Sequence, residues 1–108
     1  MSTVTTHVLD AAAGLPAVGI PVTLTSSHGE VLAIGVTNSD GRVPELGPDA
    51  LPAGTYRLTF DVARHFAASG TSTFFPEVTI TFLLEPGRAH AHVPLLLSPF
   101  AYSTYRGS

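Results

Sequence analysis

The chain has 108 residues, room for one domain spanning 1–108 and too few for two. Hydrophobic residues make up 44% and charged ones 12%. A chain this short has too little interior to hide so much apolar surface, so association with further copies is expected. A net charge of −3 without a basic patch argues against nucleic acid and anionic membranes as partners. The absence of cysteine excludes a disulfide scaffold, a thiol nucleophile and a thiolate metal site.

The opening MSTVTTHVLD carries neither the basic start nor the apolar run of a secretory signal. No apolar stretch reaches membrane-spanning length, and the expected location is the cytoplasm. Period two begins at once: Val4, Thr6 and Val8 alternate with Thr5, His7 and Leu9. Ile20, Val22 and Leu24 alternate with Pro21, Thr23 and Thr25, and Leu32, Ile34 and Val36 follow the turn at His28 and Gly29. Tyr56, Leu58, Phe60 and Val62 share a face opposite Arg57, Thr59 and Asp61; Val78, Ile80 and Phe82 do so against Thr79 and Thr81. Each stretch reads as a half-buried strand with its apolar side inward. The breakers between them (AAAGLPAVG, NSDG, GPDALPAG, ASGTS, EPGR) supply turn geometries that β-branched residues resist. Asp61 to Ala68 breaks the pattern and predicts about two turns of helix, with Gly70 shortly after. Seven or so short strands imply an antiparallel sandwich.

Pleating sends alternate side chains to opposite faces. With Val4 and Val8 inward, His7 points outward; with Val93, Leu95 and Leu97 inward, His90, His92 and Leu96 point outward. If the two terminal strands are neighbours, His7 and His92 meet on the outer face of a sheet. An open face is wet and has no wall to hold a substrate. A second subunit packing there would make a cleft of two shallow halves, an interfacial site. The last residues carry Tyr105 and Arg106, unusual content for a frayed end, and predict a tail that is tied down. Plainer readings stand beside these. A single strand histidine is more often a surface residue than a catalyst, and Arg42 after NSDG is ordinarily solvated. His28 and His65 read as incidental, and Asp10 and Asp40 as turn caps. Three histidines on one face also allow zinc, though HxH on a strand is a weak signal.

The segments TTHVLD, SDGR, FFPEVTITF and HVPLLLSPFAYSTYRGS, in this order over nearly the whole chain, resemble the 5-hydroxyisourate hydrolases, the transthyretin-related enzymes of urate breakdown. The terminal YRGS is the most specific element, because it separates the hydrolases from transthyretin proper. The resemblance implies an all-β, transthyretin-like antiparallel sandwich of two four-stranded sheets with one short helix. It implies a homotetramer with active sites at the dimer–dimer interface, and neither cofactor nor metal. Carried over by motif, the catalytic residues are His7, Arg42 and His92. Tyr105, Arg106 and Ser108 join His7 and Arg42 around the substrate. Ala91 stands where the family commonly has Tyr, on the core side of its strand, and Phe100-Ala101 replaces the common Tyr-Gly.

The implied reaction is hydrolysis of the cyclic amide of 5-hydroxyisourate to 2-oxo-4-hydroxy-4-carboxy-5-ureidoimidazoline. A neutral imidazole at His7 or His92 suits removal of a proton from water near pH 7. Arg42 keeps its charge and offers a forked donor to a developing oxyanion. The alternative is a small-ligand carrier without chemistry, as transthyretin is.

Overall fold

The computed structural model describes residues 3–88 and 90–108. Among these the alternating stretches fold as β1 (Val4–Asp10), β2 (Leu15–Pro16), β3 (Pro21–Ser26), β4 (Val31–Val36), β5 (Gly54–Asp61), β6 (Glu77–Leu84), β7 (Ala91–Ser98) and β8 (Ala101–Thr104). One helix, α1 (Ala63–Ala68), follows β5. Two four-stranded sheets result, ordered β2-β1-β7-β8 and β4-β3-β5-β6, the expected sandwich with a single short helix among the described residues. Their inner faces meet in a core of Val4, Val8, Val93, Leu95 and Leu97 from one sheet and Val22, Leu24, Leu58, Phe60 and Val78 from the other. Each such side chain contributes about 1.5–3 kcal/mol of apolar burial.

Neighbouring strands are antiparallel except β1 and β7, which run parallel. A parallel pair cannot be joined by a hairpin and needs a long crossover. The intervening chain supplies it by building the whole second sheet. The terminal strands are thereby neighbours, with Thr5 opposite His92 and His7 opposite Pro94.

β4 keeps Leu32 against the core as expected but turns Ile34 and Val36 the other way. Ala33 and Gly35 lie opposite the core residues Leu24 and Val22, while Ile34 and Val36 are 71% and 54% exposed. Buried Val43 lies over Gly35, where an added Cβ would run into it, so only small residues fit inward. A register shift between Leu24 and Thr25 accommodates the change.

Asp61 stays in β5 and α1 starts at Ala63, with Val62 as an N-cap that makes no side-chain bond. The helix is held by packing instead, through buried Phe66. His65 is not incidental: its Nε2 lies 2.7 Å from Asp10 Oδ2 and ties the helix to the end of β1. The other Asp10 oxygen accepts the amides of Ala12 and Ala13, the turn cap expected of it. Burial pushes the Asp10 carboxyl up, but the His65 hydrogen bond and the two amides together outweigh it and hold the group below its ordinary 3.8. Among the described residues no helix is long and apolar enough to cross a membrane.

Candidate active site

The site grows from the outer face of the β1–β7 pair. Burial alternates along β1, so Thr5, His7 and Leu9 are half-buried while Val4, Thr6 and Val8 go inside. On β7, His92 and Leu96 stand outward and Val93, Leu95 and Leu97 inward; Ala91 packs against the core.

Arg42 is delivered by the turn that follows β4. Asn38 Oδ1 accepts the amides of Asp40 at 2.9 Å and Arg42 at 3.1 Å, so the capping side chain is Asn38 where the sequence pointed to Asp40. Gly41 has φ of 76°, and a Cβ on it would strike the Val8 carbonyl. The Gly41 carbonyl accepts from the Val8 amide at 2.7 Å, and an isolated antiparallel bridge sets Arg42 beside His7.

The tail arrives from the other side. β8 pairs back along β7, and Thr104 Oγ1 donates to the Pro94 carbonyl at 2.7 Å. The Gly107 amide then donates to the His92 carbonyl at 2.9 Å. A Cβ on Gly107 would run into the His92 ring, which is why the YRGS stretch has glycine there.

The outcome is a shallow depression of about 410 Å³ lined by His7, Arg42, His92, Tyr105 and Ser108, together with Thr5, His90 and Gly107. Five of the six residues singled out from sequence therefore lie in one place. Arg106 does not: its guanidinium turns to Glu85 Oε1 at 3.3 Å, and it lines an adjoining cleft of about 370 Å³ between β6 and the tail, which shares His90, His92, Tyr105 and Gly107 with the depression. Tyr105, Gly107 and Ser108 line the depression, while Arg106 lines only the adjoining cleft. Thr5 escaped sequence reasoning because a β-branched residue in a strand carries no functional mark. Its hydroxyl lies 2.8 Å from His92 Nδ1 and 2.9 Å from His90 Nε2. The two imidazoles are nearly parallel, 11° apart, with centroids separated by 6.4 Å.

Burial, then the positive charge of Arg42 and the neighbouring His90 and His7, push the His92 pKa below its ordinary 6.5; a backbone hydrogen bond with Thr5 opposes this only in part. His92 is accordingly neutral near pH 7, the form able to accept a proton. Among the described residues no three His, Cys, Asp or Glu side chains converge as metal ligands would.

A model of the HIUase/Transthyretin family matches residues 4–107. The chain is 43% identical over 113 residues to the 5-hydroxyisourate hydrolase of Mus musculus, an alignment covering 99% of this chain and 96% of the mouse protein. Its structure is similar to that of Klebsiella pneumoniae 5-hydroxyisourate hydrolase, with a TM-score of 0.88, 42% identity and coverage of 100% of this chain and 94% of the other. It is also similar to transthyretin from Sparus aurata, with a TM-score of 0.90, 29% identity and coverage of 99% and 97%.

Proposed function

The chain belongs to the HIUase/Transthyretin family, and we propose that it is a hydrolase of 5-hydroxyisourate in urate degradation, with His7, Arg42 and His92 as its catalytic residues. The observation that carries this reading is a neutral imidazole and a guanidinium converging on one depression. His92, engaged by Thr5 at Nδ1, offers Nε2 to a water molecule. The water's proton moves to that nitrogen as its oxygen bonds to the ring carbonyl carbon. Arg42 stabilises the oxyanion with its forked N–H groups. The carbon–nitrogen bond then breaks and the proton passes to the leaving nitrogen. His7 shares the acid–base work, Tyr105 orients the planar ring, and Ser108 supplies a polar contact. No cofactor or metal takes part.

A shallow face open to solvent is a poor place for this chemistry. Leu9 and Leu96, opposite each other and half-buried on the same face, provide an apolar seat for a second copy. The working form in this reading is a homotetramer in the cytoplasm, each chain one domain, with sites closed at the dimer–dimer interface.

Ultraviolet spectroscopy of freshly generated 5-hydroxyisourate tests the activity, with sedimentation run on the same sample. Accelerated decay by an assembly of four chains is expected. Decay no faster than the uncatalysed reaction, with stoichiometric binding of the compound, would replace the hydrolase by a carrier.

A further inference from the structure

The Thr5 hydroxyl sits between two rings and has one proton to give. It engages both, with its own proton included, only by donating to one and accepting from the other. If it donates to His90 Nε2, it accepts from His92 Nδ1–H, and the lone pair of His92 is on Nε2. If it donates to His92 Nδ1, it accepts from His90 Nε2–H, and the proton of His92 is on Nε2. We propose that Thr5 is a positioning residue that makes the tautomer of His92 follow the protonation state of His90.

The consequence follows when the hydroxyl proton lies between the two rings. A protonated His90 carries a proton on Nε2 and donates it to Thr5, which then turns its own proton to His92 Nδ1. His92 is left with N–H at Nε2, the wrong end bare for accepting a proton from water. A neutral His90 with a bare Nε2 accepts the hydrogen bond from the Thr5 hydroxyl, which leaves Thr5 accepting from His92 Nδ1–H and His92 Nε2 free to act as a base. His90 thereby gates the base through the Thr5 hydroxyl. The rigid β1–β7 register, with Thr5 opposite His92, holds the geometry, and the Gly107 contact fixes the ring from the other side.

Other ionisable and polar groups face this pair. His7, Arg42, Tyr105 and Ser108 share the depression with His92 and His90, while Glu85, Arg88 and Arg106 line the adjoining cleft that His90 also borders. Glu85 is already engaged by Arg106 and Arg88. None of these replaces Thr5, whose oxygen is within hydrogen-bond distance of both rings.

The catalytic part of this inference rests on the hydrolase reading; the coupling of the rings does not. Thr5→Val, Thr5→Ser and His90→Phe variants distinguish the two. In ¹⁵N spectra of the histidine rings, His92 nitrogen shifts in the wild type and in Thr5→Ser should titrate in two steps, one coinciding with His90. In Thr5→Val and His90→Phe only the step belonging to His92 should remain. On 5-hydroxyisourate, the limiting acid slope of log(kcat/KM) against pH should fall by one in Thr5→Val and His90→Phe and persist in Thr5→Ser. In Thr5→Val kcat should drop about tenfold with KM nearly unchanged, a fraction of the roughly 10²–10⁴ that a general base supplies. A single-step His92 titration in the wild type, or an unchanged acid slope in His90→Phe, overturns the proposal. Wild type that fails to accelerate decay removes the hydrolase reading instead, with the ring titrations still deciding the coupling.

Discussion

Gly107 lies against the imidazole of His92, its amide donating to the His92 carbonyl at 2.9 Å and its missing side chain leaving room for the ring. The contact joins the tail to the strand that carries His92. It converts a terminal segment, ordinarily the least ordered part of a chain, into one wall of the site. Gly107→Ala must therefore displace either the ring or the tail. The backbone itself tolerates alanine, since Gly107 is not among the glycines with positive φ. The expected result is a fall in kcat/KM of about 10²-fold, the scale of a 1 Å misplacement. Stability should change by only about 1 kcal/mol, because the tail can yield into solvent. Steady-state kinetics and a denaturant midpoint on the same protein check this. Undiminished activity would mean that the tail does not position His92.

Arg42 has two separable roles in the proposed reaction: its charge acts on His92, and its forked head group acts on the developing oxyanion. Burial, then Arg42, His90 and His7, hold the His92 pKa below 6.5. A base acts in its neutral form, so depression extends activity to lower pH. The His92 step of the acid limb of kcat/KM should consequently lie below 6.5, with activity lost as pH falls through the depressed value. Arg42→Lys keeps the charge but not the fork, so kcat/KM should drop roughly 10²-fold or more with the limb in place. Arg42→Gln should lose at least as much and also move the limb up towards the ordinary histidine value. A limb at the same pH in both variants would detach Arg42 from the titration of His92.

How far the site was legible in the sequence follows from the range of each interaction. That His7 and His92 face away from the core is a local property, read from the neighbours of each residue two positions away. The convergence of Arg42 needed more, because it depends on the Gly41 carbonyl meeting the Val8 amide some thirty residues away in sequence; the motif resemblance, rather than periodicity, brought it in. Thr5 was not legible as a functional residue. Its role depends on β1 lying parallel to β7 in one register, which the packing of two sheets decides. The position of Arg106 in the adjoining cleft was illegible for the converse reason. Adjacent residues in an extended tail diverge, and nothing local says which of them faces the site. In β4 the alternation of Ile34 and Val36 was visible, but Val43, arriving from the next loop, decided which side went inward.

The Asp10–His65 pair lies outside the site depression and tests the fold instead. Three donors converge on one carboxylate: the Ala12 and Ala13 amides and His65 Nε2. The folded-state pKa of Asp10 is depressed, so its contribution is present above the unfolded value near 3.8 and is lost as pH falls through the lower folded value. Asp10→Asn keeps the shape but removes the charge, and should cost about 1–3 kcal/mol at pH 7. The deficit should shrink once the pH drops below about 4, because the wild type then gives up the same charge. His65→Phe removes one of the groups that lower the Asp10 pKa, so less stability should be lost as pH falls through 3.8 than in the wild type. The double variant should fall short of the sum of the single losses by roughly 0.5–3 kcal/mol, the range for residues in direct contact. Denaturant titrations from pH 3 to pH 7 measure all three. Additive losses, or a deficit in Asp10→Asn that does not change with pH, would show that α1 is held to β1 by Phe66 packing and not by this pair.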